Sequence, residues 1–377
     1  MKIAYLSTFY PYRGGIAQFN ATLYRFLEKD HDIKAFTFTR QYPDILFPGK
    51  TQMVEQGDNT DRIPAERCLD TVNPFSYISS GKKLKKYAPD LLITKFWMPF
   101  FAPSLGWVAR KIKRDTANIA ILDNVIPHER RPGDIALIKF FLNQYHGFIV
   151  MSKAVENDLL SLKPQAKFKY CPHPLYSHFG DKISMKEALD KLNLPKDKKI
   201  LLFFGFIRDY KGLDILIEAM KFLSDDYLCI VAGESYGDFN KYSELIEKHN
   251  VSHKVKLFVR YINDDEVPLF FSIADVCVQP YKSATQSGIA GIAFHFGVPL
   301  IATDVGGLKE IIEPYDTGLI VEKPDAELLA NSIKHFFENN QKERLSKNIE
   351  KFKAISSWDM FASNIIDLRD EINLSKK

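Results

Sequence analysis

Apolar residues along this chain fall into short continuous runs separated by stretches of helical periodicity. The first run, Ile3 to Leu6, leads through Tyr10-Pro-Tyr-Arg-Gly14-Gly15 into a stretch from Ile16 to Leu27 whose spacing predicts a helix. Strand-like runs recur at 33–38, 91–93, 119–122 and 147–151, with a helical period between several of them, as from Leu105 to Ile112. Strands alternating with helices predict a parallel sheet covered on both faces.

The second half repeats the pattern more regularly. Residues 199–204 (Lys-Ile-Leu-Leu-Phe-Phe) read as a buried strand, followed by a loop from Gly205 to Gly212. Apolar residues then fall at Leu213, Leu216, Ile217, Met220 and Leu223, one face of a helix. Further strands are expected at 227–232, 255–259, 276–278, 300–302 and 319–321. The expected architecture is α/β, two doubly wound Rossmann-like domains in succession. Pro172-His-Pro174 breaks regular structure, which divides the chain into residues 1–175 and 176–357. A last helix over 358–374 is long enough to cross back onto the first half.

Composition narrows the class. A chain of 377 residues suits two cores rather than one. Hydrophobic residues at 46% and charged residues at 26% are the balance of a globular protein. A net charge of +4 is too small to argue for nucleic acid, whose binders concentrate basic charge on one face. Cys68, Cys171, Cys229 and Cys277 stand far apart with no Cys-x-x-Cys pair, so neither a zinc knuckle nor a redox motif is expected. Buried free thiols, no signal peptide and no membrane-spanning run together predict a cytoplasmic protein.

Doubly wound sheets bind ligands beyond the carboxyl ends of their strands. Arg208 and Lys211 stand three apart in the loop from Gly205, where both cations can meet one phosphate. An ordinary basic surface loop would explain them too. Gly14-Gly15 is a second candidate, since glycine pairs let amides approach a phosphate, but the full G-x-G-x-x-G fingerprint is absent. Thr285-Gln286-Ser287-Gly288 precedes another expected helix and reads either as an anion nest or as a plain N-cap. Gly306-Gly307, followed by Glu310, forms a fourth strand-end loop.

Taken together and in order, Gly14-Gly15, Gly205…Arg208…Lys211-Gly212, Val231-Ala-Gly233-Glu234, Gly297-Val-Pro-Leu-Ile-Ala-Thr303 and Gly306-Gly307…Glu310 resemble a retaining glycosyltransferase of family four, GT-B fold. The resemblance implies two Rossmann-like domains facing a central cleft, with a UDP- or GDP-linked sugar held mainly by the second. It implies that Arg208 and Lys211 hold the diphosphate, that Gly14 or Gly15 caps it, and that Gly205, Glu234, Thr285, Gln286, Ser287, Gly288 and Glu310 line the donor. No metal or other cofactor is expected, the two cations replacing it. In the family's transfer reaction the donor phosphate deprotonates the acceptor hydroxyl, so the protein's task is to stabilise the departing diphosphate.

The sequence departs from the family at two places. The usual pair of Glu residues eight apart falls on Ala284 and Ile292. The segment from Asp123 to His128-Glu129 resembles the family's His-Asn-x-x-Pro-His-Glu, but its first His is Asp123 here. Asp123 and His128 are therefore secondary catalytic candidates, and a His–Glu surface pair is the plainer reading of the second.

The expected acceptor is a glycan or lipid-linked glycan on the N-terminal side, as in surface polysaccharide biosynthesis. Two basic runs (Lys82, Lys83, Lys85, Lys86 and Arg110, Lys111, Lys113, Arg114) and an apolar tip at Trp97-Met-Pro-Phe-Phe101 suit peripheral contact with the anionic inner face of a membrane. Solvated helix faces would explain the charge runs equally. Two other functions stay open: a homologue that binds a nucleotide sugar or glycan without turnover, and a nucleotide-sugar epimerase, whose acid–base pair Ala284 and Ile292 could not supply.

Overall fold

The computed structural model describes residues 1–43, 52–54, 61–127, 131–175, 179–284 and 287–374. The chain forms two compact units, Met1–His173 with Trp358–Lys377, and Pro174–Ser357. Both have a Rossmann-like α/β architecture, each built on one parallel sheet.

In the first unit the strands are β1 (Lys2–Leu6), β2 (Asp32–Arg40), β3 (Ala65–Asp70), β4 (Leu91–Phe96), β5 (Ala117–Leu122), β6 (Gly147–Val150) and β7 (Phe168–Tyr170), in the order β3-β2-β1-β4-β5-β6-β7. Helices α1 (Gly15–Leu27), α2 (Pro74–Tyr87), α3 (Ala102–Ile112), α4 (Asp134–Leu142) and α5 (Lys153–Leu162) connect them. Side chains alternate through the sheet. Ala4 and Leu6 of β1 face the core beneath α2, α3 and α4, whereas Ile3 and Tyr5 face α1. The strand β3 carries Glu66 and Arg67 and has no continuous apolar run, which is why hydrophobic pattern alone passes it over; it sits at the sheet edge, where charge is tolerated.

The second unit holds α6 (Met185–Leu192), β8 (Lys199–Phe204), α7 (Leu213–Ala219), β9 (Tyr227–Ala232), α8 (Asn240–Lys248), β10 (Val255–Phe258), α9 (Val267–Ile273), β11 (Val276–Gln279), α10 (Gly288–His295), β12 (Leu300–Thr303), α11 (Leu308–Ile312), β13 (Gly318–Val321), α12 (Ala326–Glu338) and α13 (Gln341–Ile355). Its strand order is β10-β9-β8-β11-β12-β13. Ile200, Leu202 and Phe204 face the α6/α9/α10 side, while Leu201 and Phe203 face α7 and α12. The helix expected to run to Leu223 stops at Ala219 and tightens into a 3-10 turn over Met220–Phe222.

The last helix, α14 (Trp358–Leu374), belongs to the first unit. Its Trp358 and Phe361 meet Phe19 of α1 at ring-centre distances of 4.9 and 5.5 Å. Its Leu368 and Ile372 lie against Gly147 of β6, where a Cβ would crowd both. Cys68, Cys171, Cys229 and Cys277 are all free and buried. Among the described residues no helix is long and apolar enough to cross a membrane.

Candidate functional site

In each sheet the chain reverses its winding between the first strand and its neighbour, β1/β4 in one unit and β8/β11 in the other. Those switch points are where doubly wound folds take their ligands.

At the second switch point, β8 ends in a buried apolar run and the chain turns at Gly205. The Gly205 N–H donates to the Ala232 carbonyl at 2.9 Å, and Ile207 pairs with Ser235, so this loop is laced to the one after β9. Arg208 is extended and a 3-10 turn over Asp209–Lys211 follows. Gly212 then closes the turn at φ 68°, a left-handed conformation, and a Cβ there would collide with the Pro280 carbonyl oxygen. The loop is thereby held against the end of β11.

The electrostatics of this loop are arranged around its two cations. Arg208 is exposed and its guanidinium lies 4.7 Å from the centre of the Tyr236 ring. Lys211 is buried at 8% exposure, with its ammonium 3.3 Å from where a Cβ on Gly205 would stand and 5.8 Å from the centre of the Tyr281 ring. The neighbouring carboxylates are occupied elsewhere. Asp209 accepts from Lys241 at 2.7 Å and from Lys282 at 3.3 Å, and Lys282 also meets Asp214 at 2.9 Å. Among the described residues neither Arg208 nor Lys211 has a carboxylate partner. Burial, with a smaller repulsion from Arg208, pulls the Lys211 pKa down to about 8. A buried ammonium without a counter-ion is costly unless an anion arrives.

The remaining second-unit candidates are distributed around this loop. Glu234 is exposed, and its carbonyl accepts from Ile207 N–H at 2.8 Å. Ser287 stands at the N-cap position of α10, but its side chain makes no cap bond; its Oγ lies 3.3 Å from the Tyr281 hydroxyl instead. The expected N-cap is thus corrected: the buried Tyr281 hydroxyl competes for it, and Gly288 opens the helix without a side-chain cap. Glu310 is half-buried in the first turn of α11. Thr285 and Gln286 lie outside the described residues. Ala284 packs against the α6/α9/α10 core and Ile292 is a buried member of it, so the second of these positions faces inward.

In the first unit Gly14 takes φ 104° at the head of α1, and Gly14 and Gly15 are both exposed with open space where a Cβ would stand. The helix start there is bare of a side-chain cap. Asp123 follows β5 and is bound to Lys95 of β4, Nζ to Oδ1 2.6 Å. His128 and Glu129 lie outside the described residues. The apolar tip expected at Trp97–Phe101 is not a tip: Pro99 and Phe101 are buried, and Trp97, Met98 and Phe100 pack on the core, the Trp97 indole donating to the Tyr42 hydroxyl at 2.8 Å. Among the exposed apolar side chains of this unit are instead Phe75 (80%) and Ile78 (50%) on α2 and Trp107 (49%) on α3.

Residue types at strand ends point to Arg208 and Lys211, but not to Tyr236, Tyr281 or Lys282, which meet the loop from later connections. Lys95 does carry a sequence signal, being a lone charge inside an apolar strand.

Residues 184–352 match the family model for glycosyl transferases group 1. The chain is 26% identical over 236 residues to an uncharacterized glycosyltransferase of Methanocaldococcus jannaschii, covering 58% of each. It is 24% identical to a D-inositol 3-phosphate glycosyltransferase of Corynebacterium urealyticum over 50% of this chain and 47% of that one. The matches thus span about half the length of such relatives. Over their full lengths, the chain resembles the solved structures of a sucrose-phosphate synthase from Thermosynechococcus elongatus (TM-score 0.66, 20% identity) and of Anabaena HepE in complex with UDP (TM-score 0.67, 16% identity).

Proposed function

We propose that this chain, whose residues 184–352 match the family model for glycosyl transferases group 1, transfers a sugar from a nucleoside diphosphate sugar to a glycan or lipid-linked glycan, with retention at the anomeric carbon. The observation that carries the reading is the pair Arg208 and Lys211, two cations at a switch point with no carboxylate partner among the described residues while the local acids are tied to Lys241 and Lys282. A diphosphate is the ligand of matching charge.

In the proposed reaction the bond between the anomeric carbon and the diphosphate oxygen breaks, and negative charge grows on the leaving group. Arg208 offers a planar fork of N–H donors and Lys211 a point charge, fixed in advance by Gly212 and by the lacing of the loop. The acceptor hydroxyl forms the new bond on the face the leaving group vacates, and its proton passes to the departing phosphate. The two cations supply the charge compensation, so activity is expected to survive chelation with EDTA.

A thermal-shift and hydrolysis screen of UDP- and GDP-sugars, with the product's anomeric configuration read by NMR, tests this. Turnover with retention supports it. Inversion, or no response to any nucleotide or nucleotide sugar, sinks it. A shift without turnover on any acceptor favours binding alone, the reading supported by the inward-facing Ile292. For the acceptor side, Phe75, Ile78, Lys82 and Lys86 lie along one exposed stripe of α2, apolar at one end and basic at the other, which supports docking on an anionic membrane.

A further inference from the structure

Two backbone hydrogen bonds bring Arg208 and Tyr236 together. The Ile207 N–H donates to the Glu234 carbonyl at 2.8 Å, and the Tyr236 N–H donates to the Ile207 carbonyl at 3.0 Å. They form a parallel bridge between Ile207 and Ser235. That register sets Arg208 opposite Tyr236, with Phe206 two residues back on the same face. Ile207 is 1% exposed and turns inward, whereas Phe206, Arg208 and Tyr236 are all exposed. The Phe206 and Tyr236 rings meet at 4.8 Å between centres and 75° between planes. The Arg208 guanidinium lies 4.7 Å from the centre of the Tyr236 ring.

Among the described residues Arg208 has no carboxylate and no hydrogen-bond partner, so the Tyr236 ring is what holds it. Lys211 shows the same arrangement, its ammonium 5.8 Å from the Tyr281 ring centre. Asp209, between the two cations in sequence, is bound to Lys241 and Lys282. The two kinds of partner differ in what they leave available. A carboxylate would satisfy the N–H fork of Arg208 and compete with an arriving phosphate. An aromatic ring attracts the cation through its quadrupole and offers no lone pairs, so the donors stay available. An unheld arginine samples many rotamers, and ordering it on a ligand costs affinity.

We propose that Tyr236 is a positioning residue for the diphosphate grip: its ring holds Arg208 in place without consuming the donors that a diphosphate takes. The proposal rests on the reading of Arg208 as a phosphate-binding group. Tyr236 acts through Arg208 and does not itself touch the nucleoside.

The experiment measures the Kd of UDP and GDP by calorimetry, and of inorganic pyrophosphate by competition. It compares the wild type with Y236F, Y236L, R208A and the double variant R208A/Y236L. Y236L keeps an apolar side chain against Phe206 but has no quadrupole. It raises Kd about three- to fivefold, for nucleotide and pyrophosphate alike. Y236F keeps the ring and with it the wild-type Kd. In the R208A background the Leu substitution has no further effect, because the group it positions is gone. Both residues are exposed, so Tm stays near the wild-type value in all four variants. An undiminished Kd loss in the R208A background, or one confined to nucleotides and absent for pyrophosphate, overturns the proposal and makes Tyr236 a nucleoside contact. Wild-type Kd in Y236L overturns it as well. A wild type that binds none of the three probes, or an R208A variant that binds them as tightly as wild type, overturns the phosphate assignment instead.

Discussion

Lys211 makes nucleotide binding depend on pH in a way that its chemistry dictates. Burial and Arg208 bring its pKa down to about 8 in the ligand-free protein. A bound diphosphate opposes both effects and returns the pKa toward the usual range. If only the protonated form grips the anion, affinity scales with its population, and between pH 7 and pH 9 the Kd of UDP rises by about tenfold. The terminal phosphate ionises near pH ~6, below this window, and contributes little to the slope. Near pH 8, binding takes up roughly half a proton. Titration calorimetry at pH 7, 8 and 9, repeated at pH 8 in two buffers of different ionisation enthalpy, measures both quantities. Lys211→Arg, with a guanidinium charged throughout the range, binds with no such slope. A flat affinity from pH 7 to 9, or a slope that persists in Lys211→Arg, would refute the assignment. The same group affects stability. The unfolded chain binds more protons than the ligand-free fold between about pH 8 and 10.5, so the contribution from Lys211 becomes more favourable as pH rises through that window, by at most ~3 kcal/mol; saturating UDP removes that trend.

Other perturbations have outcomes of known direction. Lys211→Ala and Arg208→Ala each lower kcat by about 10² or more, the scale of losing one preorganised charge contact, measured at saturating donor. Gly212→Ala forces an L-residue to φ 68° and into the Pro280 carbonyl; a loss of about 2 kcal/mol or more is expected in urea unfolding, and UDP affinity falls with it. Lys282→Ala frees Asp214 and leaves Asp209 to Lys241 alone; since the pairs are partly exposed, Tm moves little, while a less firmly held Asp209 competes for the cations and raises donor KM by roughly threefold. Replacing Phe75 and Ile78 with Ser abolishes co-sedimentation with anionic liposomes at low salt without changing turnover of a soluble acceptor, whereas unchanged sedimentation removes α2 from the membrane reading.

Much of this protein is legible in its residue pattern, because apolar periodicity registers burial directly. The runs at Ile3–Leu6 and 199–204, the helical spacing after Gly15 and Gly212, and the alternation between them specify two parallel α/β units. Glycines and cations at strand ends mark the loop from Gly205 to Gly212, since a sharp turn and a phosphate demand those residue types whatever surrounds them. Pattern is silent where burial is partial or partners are distant. The edge strand β3 carries charges and shows no apolar run; Trp97–Phe101 reads as an exposed tip until Tyr42 and the core cover it. That Lys211 has no acid partner among the described residues, while Asp209 is claimed by Lys241 and Lys282, follows from side chains 32 and 73 positions apart meeting at the carboxyl end of the sheet. The pairing of Lys95 with Asp123 has the same origin. Residue identity determined which charges this chain carries; only the tertiary structure decided which of them neutralise one another and which remain for a ligand, because Coulomb energy and desolvation depend on distance and burial rather than on order along the chain.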